Sequence, residues 1–206
     1  MYKRQGEETT KLPPGHRFTL INGKPCPHVT NIITPVTPKI PHIEEHALQG
    51  KWLDGCFKNL IDEGIFAPLV LDAPKTLNIA PLSDLFSKGR EWVAKWVKYG
   101  EIEFMGHSRK VFNKEYWFCG ELDSTGLYHS KQAIHDFKKT KNLTKALAEK
   151  YFIQMGGYSL SDELPLDPVY LVICSPYNPP MATEDVKGYQ NKFLALREKY
   201  RKEYGV

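Results

Sequence analysis

The chain has no run of about 18 or more apolar residues, the length a membrane-crossing helix needs. Its start, Met1 to Gly15, is polar rather than a charged cap leading into an apolar segment, so no secretory leader is expected. The protein therefore reads as soluble and intracellular, not secreted and with no membrane partner. Cysteine is sparse. Cys26, Cys56, Cys119 and Cys174 show no CxxC or Cys/His ligand spacing, which argues against a zinc site or a disulfide framework and for reduced thiols. Internal repeats and low-complexity tracts are lacking too. The charge imbalance is only +4, which permits an acidic partner such as nucleic acid without requiring one. What is present, 206 residues with 41% hydrophobic content, suits one globular domain over 16–206 after a loose arm, 1–15, that ends in Leu12-Pro13-Pro14-Gly15.

Along that domain, Arg17 to Ile21 reads as a short strand turned by Asn22-Gly23, a strong hairpin dipeptide. Prolines 25, 27, 35, 38 and 41 then leave room only for a short helical piece between Val29 and Thr34. Apolar residues at three-to-four spacing predict helices from about Ile43 to Glu63, stopped by Gly64, and from about Leu82 to Val97, ahead of Gly100. Trp92 and Trp96 belong to the second stripe and read as core, with a stacking platform for bases as the alternative. After Gly100 the period shortens: 101–105, 110–112, 116–122, 127–128 and 132–137 read as successive antiparallel strands. A third helix begins at Asn142 or Thr144 and carries Leu143, Leu147, Tyr151, Gln154 and Tyr158 along one side. Pro165 and Pro168 break the chain before Val169 to Cys174, an apolar strand expected mid-sheet. Pro176 to Pro180 read as a loop. A last helix, from about Thr183 to Glu203, has an apolar side and a basic one that includes Arg197, either solvated or in contact with nucleic acid.

The central stretch is Cys119 to Asp123 followed by Ala133 to Lys138. Side chains alternate along a strand, so Asp136 and Lys138 share one face while His135 and Phe137 take the other. An acid and a lysine side by side on a largely apolar strand demand a reason, because unpaired buried charge is costly. A salt bridge at a sheet edge is one reason, with Asp123 a turn acid before Ser124-Thr125-Gly126. A catalytic centre is the other.

Gly120-x-x-Asp123, Asp136-x-Lys138 and Gln154-x-x-x-Tyr158, in that order and on strand, strand and helix, resemble the PD-(D/E)XK nucleases. The likeness is to their RecB-like branch, which includes phage exonucleases and the mitochondrial genome-maintenance exonuclease. By motif it covers roughly Gly50 to Tyr158. It implies an α/β (α+β) restriction-endonuclease-like core, a central mixed β-sheet flanked by helices. It also implies a DNA exonuclease dependent on Mg²⁺ or Mn²⁺ that hydrolyses phosphodiester bonds at DNA ends in replication, recombination or repair. Partners would be single- or double-stranded DNA and a recombination or replication protein, in the cytoplasm or, for a phage-encoded protein, the host cytoplasm.

A hard divalent ion suits this hydrolysis because it holds charge on phosphate oxygens and acidifies water, and it takes oxygen ligands. By resemblance Asp123, Asp136 and the Phe137 carbonyl would bind it. Lys138 would orient the water or stabilise charge, its neutral form favoured by the nearby metal and other cations. Gln154 and Tyr158 would position DNA or the metal-bound water. Relatives carry a further glutamate before the Gly-x-x-Asp strand. Alignment puts Ser108 there, leaving Glu103 as the chosen substitute beside Glu101, with Glu121 a further candidate. Asp54 stands where many relatives have a histidine and could ligate through oxygen. The cysteines of iron–sulfur relatives have no counterpart. Arg109, Lys110, Lys114, Lys139, Lys141 and Lys145 would contact DNA phosphates. The alternative is a catalytically impaired module that keeps the fold and binds DNA or an assembly partner.

Overall fold

In the computed structural model the described residues are 16–34, 43–67, 80–164 and 166–206. The arm 1–15 and prolines 35, 38, 41 and 165 lie outside them. The architecture is mixed α/β, a five-stranded mixed sheet flanked by helices. Among the described residues no helix is long and apolar enough to cross a membrane.

A small hairpin opens the described chain. β1 (Phe18–Ile21) and β2 (Lys24–Pro27) pair antiparallel around Asn22 and Gly23, whose φ values of 51° and 73° suit a turn that matches strand twist. The short α1 (Val29–Ile33) follows, then α2 (Ile43–Glu63) and α3 (Ala80–Trp96), as the apolar spacing predicts. Gly64, at φ 70°, ends α2 and donates its amide to Leu60.

The sheet runs β3 (Ile102–Asn113), β4 (Phe118–Tyr128), β5 (Lys131–Phe137), β6 (Tyr170–Ser175) and β7 (Asn178–Thr183), with α4 (Lys145–Tyr158) between β5 and β6 and α5 (Val186–Tyr204) closing the chain. Within this sheet only the β5–β6 pair is parallel, the crossover being α4. β6 lies inside the sheet, as its apolar run predicts, and its residues split between two layers. Val172 and Cys174, with Ala133 and Phe137 of β5, join Phe57, Leu85 and Trp92 of α2 and α3. Leu171 and Ile173, with Ile134, join Ala148, Phe152 and Met155 of α4. Trp92 is core, edge-on to Phe57 at 5.7 Å.

Three expectations are corrected. The first four of the five segments expected as separate strands merge into two long ones, β3 and β4, and Ser124-Thr125-Gly126 is not a turn but the middle of β4. The register shifts between Phe104 and Gly106, and Ser108 takes φ 50°, so irregularity is absorbed without breaking the pairing. Gly126 belongs there because a Cβ would collide with the Glu103 carbonyl. The β4–β5 turn is His129-Ser130, at φ 47° and 62°. The expected loop at Pro176 to Pro180 overlaps β7, an edge strand whose pairing with β6 shifts register between Ile173 and Ser175, the kind of irregular edge that accommodates proline. Arg197 is not on a solvated face. It is buried and donates to the carbonyls of Tyr116, Trp117 and Val206.

Candidate functional site

The β4–β5 ladder pairs Tyr128 with Lys131 and continues to Ser124 opposite His135, then stops. At the next step Asp123 substitutes its side chain for a main-chain partner, its Oδ2 accepting from the Phe137 amide at 2.7 Å. The strands part there. A strand residue's N–H and C=O point to the same edge, so the Phe137 carbonyl also opens toward Asp123. On the other edge the Lys138 amide donates to the Cys174 carbonyl of β6. In the resulting notch the Lys138 ammonium lies 2.6 Å from Asp136 Oδ2 and 3.9 Å from Asp123 Oδ2.

α4 covers this notch. Thr144 caps it, its hydroxyl accepting from the Leu147 amide. Tyr151, Gln154 and Tyr158 then recur three and four residues apart on one side. Gln154 Nε2 donates to the Tyr158 hydroxyl at 2.8 Å, and the Lys138 ammonium sits 5.0 Å from the Tyr151 ring centroid. Gly120 explains how closely the helix approaches β4: a Cβ there would lie 2.8 Å from Tyr158 Cε1.

The electrostatics are those of too many carboxylates for one ammonium. Asp136 is 1% exposed. Burial pushes its carboxyl up, Lys138 pulls it down, Asp123 pushes it up again, and the net shift is upward. Neither Asp136 oxygen accepts a hydrogen bond of ordinary geometry. Burial pulls the Lys138 ammonium down, but Asp136 and Asp123 outweigh it and hold it charged. The expected neutral lysine depends on a bound metal; its protein neighbours here are anions. Asp54 is raised by burial first, then by Asp123 and Glu121, which brings α2 into the same field. On the sheet's other face, burial pulls His135 down to about 3, so it stays a neutral ring edge-on to Phe104.

Thus Asp123, Asp136, Lys138, Gln154 and Tyr158 come together, with Asp54 and Glu121 beside them. Glu103 does not join them. It pairs with Leu127, four residues along β4 from Asp123, about 13 Å at the usual strand rise, and lines a groove between α2 and α3. Ser108 falls between the pairs His107–Ser124 and Arg109–Leu122, opposite Asp123. Among the described residues no three carboxylate, imidazole or thiol groups converge closely enough to grip a metal ion among them.

Of the basic residues, Lys139 is nearest in chain and turns to α2, where its ammonium meets His46 Nδ1 at 2.9 Å and Gln49 Oε1 at 2.6 Å. Lys141 pairs with Asp84 at 3.1 Å, Lys145 is exposed in the first turn of α4, and Arg109 and Lys110 are exposed on β3. Lys114 lies at the far end of the β3–β4 hairpin, where its amide bonds Asp162. Three neighbours were not expected as site residues. Tyr151 packs against Lys138, Lys58 and His107 act on Asp54, and His107 is tied to Asp62 at 2.8 Å. Tyr151 was legible as the residue three before Gln154; His107 was not, because its placement depends on the irregularity of β3.

Compared with protein-family models and with curated proteins, the chain matches none.

Proposed function

We propose that this chain is a divalent-metal-dependent deoxyribonuclease of the PD-(D/E)XK type, built on a restriction-endonuclease-like core and acting on DNA ends. The observation that carries this reading is the meeting of Asp123, Asp136 and Lys138 where β4 and β5 part, under Gln154 and Tyr158.

The donors fit a hard cation. Asp136 is a buried carboxylate without an ordinary hydrogen bond, and Asp54, Glu121, Asp123 and Asp136 together outnumber Lys138. Mg²⁺ is commonly held by one or two protein carboxylates and keeps several waters, so it does not require three preassembled ligands. Asp123, Asp136 and the Phe137 carbonyl would hold it, with Asp54 and Glu121 in the same field. When bound, the ion would supply positive charge for phosphate oxygens and an acidified water. Lys138, beside Asp136, Asp123 and the Tyr151 ring, would offer its ammonium to the phosphate. Gln154 and Tyr158 act as one hydrogen-bonded unit that fixes a polar edge over the notch. Lys139 and Lys141 supply positive charge for the backbone, steepening salt dependence by about 0.9 in log–log slope per duplex phosphate contact.

One observation favours a second reading, a nuclease-fold DNA-binding module without activity: Lys138 already occupies the carboxylates, and no ligand trio is preformed among the described residues. End-labelled single- and double-stranded DNA incubated with Mg²⁺ or Mn²⁺ separates the two. The nuclease reading expects cutting that Lys138→Ala abolishes. Equal cutting by the variant overturns the site, and metal-independent binding without cutting favours the module.

A further inference from the structure

Cys26 and Cys119 are 93 residues apart in sequence, yet the Cys119 thiol donates to the Cys26 carbonyl at 3.4 Å and lies 3.8 Å from that of Pro27. The β1–β2 hairpin rests on β4 here, with His28 bridging to Cys119 in parallel register. Each thiol is the first influence on the other's acidity, as expected of side chains held close together. Around Cys119 stand the Thr19 hydroxyl and the His28 imidazole, 3.0 Å from each other, and the buried Arg197 guanidinium adds positive charge near Cys26. The Cys26 hydrogen bond pushes Cys119 down, burial opposes it, and His28 and Thr19 add to the fall; Cys26 is pushed up correspondingly. Cys56 and Cys174 differ. Burial raises both, Cys56 to about 12, and neither has a thiol neighbour acting on it.

Two buried cysteines brought together by β2 and β4 are the layout in which one is oxidised and the other resolves it. We propose that Cys119 and Cys26 form a peroxide-responsive pair whose disulfide ties the β1–β2 hairpin to β4. The Cys119 thiolate attacks one oxygen of hydrogen peroxide and the O–O bond breaks. The departing hydroxide takes a proton and leaves as water, and Cys119 becomes a sulfenic acid. Cys26 sulfur then attacks the Cys119 sulfur. The S–O bond breaks, and that hydroxyl leaves as a second water with the Cys26 proton. In sum, two thiols give two electrons and two protons to one peroxide. Peroxide is little larger than water, Cys119 is 6% exposed, and a two-stranded ribbon opens readily. The link would sit one residue from Gly120, against which Tyr158 packs.

The test uses the full reduced chain, treated with hydrogen peroxide, alkylated under denaturing conditions and peptide-mapped. Free thiols should fall from four to two, with one Cys26–Cys119 linked peptide that a thiol reductant reverses. In Cys26→Ala, the Cys119 sulfenic acid should persist and be labelled by a 1,3-dione. Retention of all four thiols, oxidation confined to Cys56 or Cys174, or Cys119 passing to sulfinic acid in the wild type without a link overturns the proposal. The readout needs no DNA cleavage, so it stands or falls separately from the nuclease reading.

Discussion

Replacing Lys138 by Met keeps a stem of similar length and removes the ammonium 2.6 Å from Asp136. Removing one partner of a buried pair costs about 3–5 kcal/mol when the remaining charge stays ionised. Asp136 has an escape, because burial already favours its protonated form and loss of Lys138 pushes its pKa further up. A carboxyl raised in the folded state gives up stability as pH climbs from its unfolded value through its folded one, at most about 1.4 kcal/mol per pH unit. Asp136 already sits at about 7 in the wild type, so the deficit of Lys138→Met should stay small up to about pH 7 and open only above it, toward about 3–5 kcal/mol. Urea unfolding of both proteins across that range measures it. Adding Asp136→Asn should flatten the difference, since the carboxyl that faced the ammonium is gone. A deficit that stays constant with pH would refute the reasoning, because it would mean Asp136 is not the group left stranded.

Two further substitutions probe the packing above the notch. Gly120→Ala sets a methyl 2.8 Å from Tyr158 Cε1 and should cost about 1–3 kcal/mol in urea unfolding, with loss of cleavage; an unchanged midpoint would mean α4 does not rest on β4 as described. Tyr158→Phe removes the acceptor for Gln154 and should lower cleavage about 10- to 100-fold while costing only about 0.5–1.5 kcal/mol of stability, so a large stability loss with normal turnover would assign the tyrosine to the core alone.

The helices and the central notch were legible because each rests on local rules. Apolar spacing with Gly64 as a stop located α2, and strand alternation put Asp136 and Lys138 on one face. The length of β3 and β4 was not legible. Gly106, Ser108 and the run Ser124-Thr125-Gly126 have turn chemistry, and only pairing between distant segments makes them strand; Ser124 is 0% exposed. The same limit hid His107 and made Glu103 look near the site, because the bulge after Phe104 and the left-handed Ser108 alter what side-chain alternation would predict. Arg197 looked solvated from its basic neighbours. The carbonyls it satisfies belong to a hairpin about 80 residues away in sequence. The cysteines looked scattered for a similar reason: contact between Cys26 and Cys119 is made by strands, not by spacing.

The most direct test of the central claim is the single-turnover cleavage rate of end-labelled DNA in Mg²⁺, measured for the wild type, for Asp136→Asn, and for the wild type with chelator. The account predicts cutting by the wild type that stops with chelator and falls on the order of a thousandfold in Asp136→Asn. Cutting that persists in chelator, or an Asp136→Asn protein as fast as the wild type, would contradict it.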